Sequence, residues 1–260
     1  MGDTVLYERR AALGYLTLNR PRVLNAMNDG LLRDLADALR AGAADREARV
    51  LVLRGAGRAF CAGADLDETP GPRDPNEHRA ARVKVEQDVA RLFRRLEKPI
   101  VAQVHGAAIG GGCVLALLCD LRIAAEGTRF ELPEVRVGAT ASLGGVYTLT
   151  RVVGLGRAFE LLYLAEPFDA AAALAIGLVN RVVPQAEIDS AVAALANRIA
   201  GHFPLELALT REAIHRGLDV DFDAAVDAET TAAMLSQLGG AAERGMAEAR
   251  RRIREKKRGT

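Results

Sequence analysis

Backbone amides, rather than a cluster of titratable side chains, are the first groups in this sequence able to do chemistry. Residues 54–66 read RGAGRAFCAGADL and follow an apolar run at 50–53, and residues 105–114 read HGAAIGGGCV and follow an apolar run at 100–104. Small residues let a ligand approach the backbone closely. Asp65 with Glu68 makes an Asp-x-x-Glu helix-start signature, so the amide of Ala64 is expected just before a helix N-terminus, where donors face outward. The glycines at 110–112 put the amide of Gly111 near the positive end of a second helix. Two such amides converging on one oxygen make an oxyanion hole, which stabilises charge as it develops on a carbonyl oxygen. Neither segment is specific alone. A tight strand-to-helix turn accounts for either one equally well, and the GxGxxG spacing of a dinucleotide fingerprint is absent from both.

The elements that position these turns follow from periodicity. Residues 5–9 and 13–18 alternate around Gly14 and predict a hairpin. Leu31, Leu32, Leu35, Ala38 and Leu39 recur at three and four, which predicts an amphipathic helix over 29–41. The unbroken apolar runs at 50–53, 100–104 and 121–125 predict strands buried on both faces, and 113–118 predicts an apolar helix. Repeated strand, loop and helix units imply an α/β fold with parallel sheet. The stretch 67–76, rich in proline, glycine and acid, reads as a mobile surface loop. After Phe130 only 178–183 reads as a strand, and from Gln185 to Lys257 the pattern is helical, with Pro204 at the start of the last helical region. One compact body with a C-terminal helical extension results, divided at 1–199 and 200–260.

Composition removes other classes. The 35 basic and 34 acidic residues leave a net charge of +1, so no global field marks a nucleic-acid binder. The basic run at 250–258 reads as a solvated helix face. Cys61, Cys113 and Cys119 lack metal-ligand spacing and read as buried reduced thiols, so no metal is expected. The start has no signal-peptide pattern and no run approaches the roughly 18 apolar residues of a membrane span, which predicts a cytoplasmic protein without a membrane partner.

Taken in order, RAFCAGADL, KPIVAQVHGAAIGGGC, LLCDLRIA, FELPEVRVG, LTRVVG and AxxxGLVNRVVP resemble the enoyl-CoA hydratase/isomerase (crotonase) family across residues 19–184. The resemblance implies a spiral of ββα turns with a C-terminal helical trimerisation region, a homotrimer or dimer of trimers, and an acyl-CoA thioester substrate from fatty acid metabolism. CoA is then part of the substrate and no separate cofactor is needed. It assigns the amides of Ala64 and Gly111 to the thioester oxygen. It places CoA along Leu24, Ala26, Ala62, Asp65 and Leu66, with Arg22 near a phosphate, and the acyl tail against Leu66, Val114, Ser142, Leu143 and the 67–80 segment.

The family's hydratases use two glutamates, and this chain matches one of them, Glu134, while Val114 stands at the other position. A single carboxylate is sufficient for a 1,3-proton shift, so the resemblance favours an enoyl-CoA isomerase in which Glu134 moves a proton from C2 to C4. A hydratase, lyase or thioester hydrolase with altered machinery is the alternative, and a non-catalytic CoA-binding or subunit-interaction protein is the third reading. Dienoyl-CoA isomerases place a further carboxylate where Ser142 stands, and 1,4-dihydroxy-2-naphthoyl-CoA synthases lack a glutamate at the Glu134 position, so neither branch matches. Glu131 replaces the usual small residue and is a candidate for a substitute second acid, but strand alternation turns it away from Glu134, so a surface role is expected. His78 reads as a solvated loop residue and His105 as structural. Gln237 and Gly239 depart from the family's neighbouring-subunit contact to CoA.

Overall fold

The computed structural model describes residues 2–67, 75–238, 240, 241, 243, 245–247, 250 and 251, with the backbone alone for 75–80. The chain opens with a hairpin of β1 (Val5–Arg10) and β2 (Leu13–Leu18), then α1 (Asp29–Ala44) and β3 (Val50–Gly55). After α2 (Pro75–Arg95) come β4 (Ile100–Val104), β5 (Ala107–Ile109), α3 (Gly111–Leu117), β6 (Leu121–Ala125) and β7 (Arg129–Glu131). A 3₁₀ turn (Glu134–Val137) leads to α4 (Gly145–Val153), α5 (Leu155–Leu164), β8 (Phe168–Asp169), α6 (Ala170–Ala175), β9 (Arg181–Val183) and α7 (Ile188–Ala200). Among the described residues the main sheet has the order β1-β2-β3-β4-β6-β9, parallel from β2 onward, and a small sheet has the order β5-β7-β8.

Both faces of the main sheet are covered, which is why its strands show no polar alternation. Leu51, Leu53, Ile100, Ala102, Val104 and Ala124 pack to one side with Leu31, Leu35 and Leu39 of α1 and Val89 and Phe93 of α2. Val50, Val52, Val101, Ile123 and Ala125 pack to the other, against Ile188, Val192 and Ala196 of α7. The α1 helix begins where the Asn28 side chain accepts from the Leu31 N–H at 2.9 Å, a cap that typically contributes about 1 kcal/mol.

The chain divides into two compact units, Met1–Ala200 and Gly201–Thr260. The second unit pairs α8 (Pro204–Gly217), opened by its proline, with α9 (Phe222–Leu238). Phe222 and Leu238 there are 80% and 84% exposed. Among the described residues no helix is long and apolar enough to cross a membrane, and no group of three His, Cys, Asp or Glu could hold a metal ion.

Three expectations change. No helix begins at Asp65: the residues after it form a turn, and Glu68 lies outside the described residues. Of the loop expected over 67–76, residues 68–74 lie outside the described residues, and α2 begins at Pro75, so Asn76 and His78 have helical backbone. Nor do strands end near Phe130, since β7 continues the small sheet and β8 later joins it.

Candidate active site

The first wall of the site is the segment after β2. Leu24 and Asn25 both adopt left-handed backbone, with φ of 53° and 58°. Asparagine tolerates that conformation, and this one is fully buried and used throughout. Its Oδ1 accepts from the Arg20 N–H at 2.8 Å, and its Nδ2 reaches the carbonyls of Ala56, Ala59 and Phe60 at 2.9, 2.8 and 3.1 Å. The bend then presents Met27, whose N–H donates to Gly63 O at 2.7 Å and whose carbonyl accepts from the Asp65 N–H at 3.0 Å. In this parallel pairing Met27 uses the two residues flanking Ala64, so the N–H of Ala64 points away from it, and Ala64 is exposed.

The second wall follows β4. His105 is buried with its Nε2 2.9 Å from Gly57 O, tying this turn to the one after β3. Phe60 N–H donates to His105 O at 2.8 Å and Ile109 N–H donates to Cys61 O at 3.0 Å, so the two glycine-rich segments run backbone against backbone. The approach leaves no room for side chains. A Cβ on Gly63 sits 2.6 Å from Ile109 O and 3.8 Å from Gly111 N, and one on Gly112 sits 2.2 Å from Cys61 O. Gly111 is the first residue of α3, where an amide has no acceptor within the helix. The turn before Ala64 therefore lies against the first turn of α3, and the Met27 methyl and Leu143 pack beside Gly111.

Glu134 closes the site from a third direction. Pro133 ends the segment after β7, and Glu134 begins the 3₁₀ turn that follows. Its Oε1 lies 3.1 Å from where a Cβ of Gly110 would stand, and its Oε2 is buried without a hydrogen-bond partner. Burial pushes the carboxyl above its ordinary range. Cys113 is buried beside this charge, and its thiol is pushed up to about 12, first by burial and then by Glu134. Val114 is 1% exposed and packs against Gly145, and Leu143 is 4% exposed. Among the described residues the neighbourhood joins the Glu134 carboxyl to the two glycine-rich turns and an apolar wall of Val114 and Leu143. A carboxyl so placed can move a proton.

The remaining expected positions scatter around this centre. Leu24 O accepts from the Ala62 N–H at 3.0 Å, which aligns the expected CoA-side backbone. Ala26 is buried and its carbonyl already accepts from Arg20 at 2.5 Å. Asp65 is paired with Arg20 at 2.7 Å. Arg22 and Ser142 are exposed, and Leu66 is 89% exposed. Arg20, which ties Asp65 to the Ala26 carbonyl, was not singled out by sequence, where only its place in RPR hinted at it.

Glu131 corrects an expectation. It is 3% exposed, not on the surface, with Oε2 2.6 Å from Arg129 and Oε1 paired with Arg136. The face of the strand opposite the core is also covered, here by arginines. The side chain of His78 and all of Gly239 lie outside the described residues, and Gln237 is exposed on α9. A cavity of about 400 Å³ between α1 and α2, lined by Leu39, Arg40, Leu92, Arg95 and Lys98, shares no residue with this cluster.

A family model described as "Enoyl-CoA hydratase/isomerase" matches residues 8–257. The short-chain-enoyl-CoA hydratase of Clostridium acetobutylicum is 37% identical over 88% of this chain and 88% of its own length. Among solved structures, an enoyl-CoA hydratase of Mycobacterium smegmatis superposes with a TM-score of 0.89 at 31% identity, covering 96% of each chain. A putative enoyl-CoA hydratase of Thermobifida fusca in complex with CoA superposes at 0.83 with 29% identity, covering 93% of this chain and 95% of that one.

Proposed function

Because this chain belongs to the enoyl-CoA hydratase/isomerase family, we propose that it hydrates a 2-enoyl-CoA through an enolate, with Glu134 as its one acid-base group. The observation that carries the reading is the half-buried Glu134 carboxyl, one oxygen unpartnered, beside the Gly110–Gly111 turn. The amides of Ala64 and Gly111 receive the thioester oxygen, and each such donor is worth on the order of 2.7 to 4 kcal/mol of transition-state stabilisation. Glu134 takes a proton from water as the water oxygen bonds to C3, and the C2–C3 π electron pair moves through C2 and the carbonyl to the thioester oxygen. The protonated Glu134 then returns that proton to C2, which regenerates the carboxylate. One carboxylate serves as base and then as acid, so Val114 does not prevent hydration. The raised pKa helps in the first half, since a carboxylate that binds a proton more tightly is a stronger base toward water.

CoA lies along the backbone of Leu24 and Ala62 with Arg22 at its phosphates, and no cofactor beyond the substrate's own CoA is required. The relatives carry hydratase names, and for that reason hydration replaces the isomerisation expected from sequence as the first reading. Isomerisation of a 3-enoyl-CoA stays as the second reading on one observation, the buried Val114 where the family's hydratases have their other glutamate. There Glu134 moves the proton from C2 to C4 and no water enters.

Incubation with 2-enoyl-CoA and 3-enoyl-CoA in deuterated water separates the two. Hydration consumes the 2-enoyl thioester and leaves a 3-hydroxyacyl product with deuterium at C2. Conversion of the 3-enoyl substrate to a 2-enoyl product labelled at C4, with no hydroxyacyl product, removes hydration in favour of isomerisation.

A further inference from the structure

Glu131 is a buried carboxylate that the proposed chemistry does not use. Both of its oxygens are occupied, Oε2 by Arg129 of β7 and Oε1 by Arg136. Its backbone is also engaged. Glu131 pairs with Ile109 in the β5–β7 ladder, and its carbonyl accepts from the Gly110 N–H at 2.8 Å, one residue before the Gly111 amide. Arg136 belongs to the same 3₁₀ turn as Glu134 and is half exposed. That turn spans four residues, and its short-range bonds run from Arg136 N–H to Pro133 O at 2.9 Å and from Ala139 N–H to Glu134 O at 2.9 Å. A 3₁₀ turn this short is weakly held by its own hydrogen bonds, so an outside tether decides where it sits.

We propose that Glu131 is a positioning residue that fixes the Glu134 turn, through Arg136, against the strand that holds Gly110 and the Gly111 amide. The same residue thus touches both halves of the site: its carbonyl sets the turn that presents the amide, and its carboxylate sets the turn that presents the acid-base group. Arg129 shares the carboxylate but sits on β7 itself, two residues from Glu131, so it supports the strand and does not reach the catalytic turn. This assignment rests on Glu134 acting as the acid-base group.

The test compares Glu131→Gln, Arg136→Met, their double variant and Arg129→Met in steady-state kinetics with 2-enoyl-CoA, normalised to folded protein by near-ultraviolet circular dichroism. Misplacing a reacting group by about 1 Å costs up to roughly 100-fold, so Glu131→Gln and Arg136→Met are each expected to lower kcat by about 10- to 100-fold. KM stays within about twofold, because CoA contacts are untouched. The double variant is no slower than the slower single, since both changes cut one tether. Arg136→Lys restores part of kcat, and Arg129→Met keeps kcat within about threefold of the parent while lowering Tm. Arg136→Met carries the test alone where Glu131→Gln fails to fold. Parental kcat in Arg136→Met, or an equal loss in Arg129→Met, overturns the tether. Glu134→Gln run alongside separates the two failures: turnover that survives it removes the functional reading itself, whereas loss there with parental kcat in Arg136→Met removes only the positioning role.

Discussion

Replacing Gly112 by alanine tests whether the two glycine-rich segments must touch. The added Cβ stands 2.2 Å from the Cys61 carbonyl oxygen, which is backbone and is itself held by the Ile109 N–H at 3.0 Å. Ordinary packing requires the two segments to part by about 1 Å, and such overpacking costs typically 1–3 kcal/mol. A loss near the middle of that range lowers Tm by roughly 4 to 8 °C in a protein of this size. The separation also pulls Ala64 from Gly111, and misplacement by about 1 Å costs up to roughly 100-fold in turnover. The assay is thermal unfolding together with kcat on 2-enoyl-CoA. Gly156→Ala supplies the control: it lies exposed in α5 with nothing within 4 Å of its added Cβ, so it keeps kcat and gains about 0.5 to 1 kcal/mol. A Gly112→Ala protein with parental Tm and kcat refutes the close backbone contact and the site geometry that depends on it.

Further outcomes follow from the same geometry. Glu134 has its pKa raised by burial from an ordinary 4.5, so its proton is held more tightly in the folded state, and stability falls as pH rises through the window above 4.5. Glu134→Gln therefore matches the parent Tm at acid pH and exceeds it increasingly toward neutral pH; a Tm gap that is flat with pH contradicts this. Arg20→Met removes the pair with Asp65 and the bond to Ala26 O, and hydrogen bonds of charged groups are worth about 1.5 to 3 kcal/mol. It is expected to lower Tm and to raise the dissociation constant for CoA in titration calorimetry, with kcat reduced less than kcat/KM. The exposed Phe222 and Leu238 of the second unit fit burial against further copies, and light scattering of the intact protein is expected to return three or six chains.

The close approach of the two glycine-rich segments was legible because glycine and alanine leave a visible gap in an otherwise bulky sequence. The buried strands were legible for a similar reason: Val50 to Leu53 is apolar at every position because both faces are covered. Other features carried no local signal. Much of α2 is charged, with Val89 and Phe93 as its fully buried apolar residues, so its helical period is faint. Nothing in the sequence says that the Asn25 amide joins three distant carbonyls. Glu131 misled because strand alternation predicts which side a residue takes, not whether that side is wet. Its two arginines, Arg129 and Arg136, were in view at two and five residues' distance, and the burial they permit is a tertiary property.

The central claim is that Glu134 moves a proton at C2 of a thioester whose oxygen rests on the Ala64 and Gly111 amides. Exchange at C2 of a saturated acyl-CoA in deuterated water, followed by nuclear magnetic resonance, isolates that step from any choice between hydration and isomerisation. The parent protein is expected to deuterate C2, and Glu134→Gln to leave C2 protonated while binding the same acyl-CoA with unchanged affinity. Exchange that persists in Glu134→Gln, or that is absent from the parent, contradicts the account.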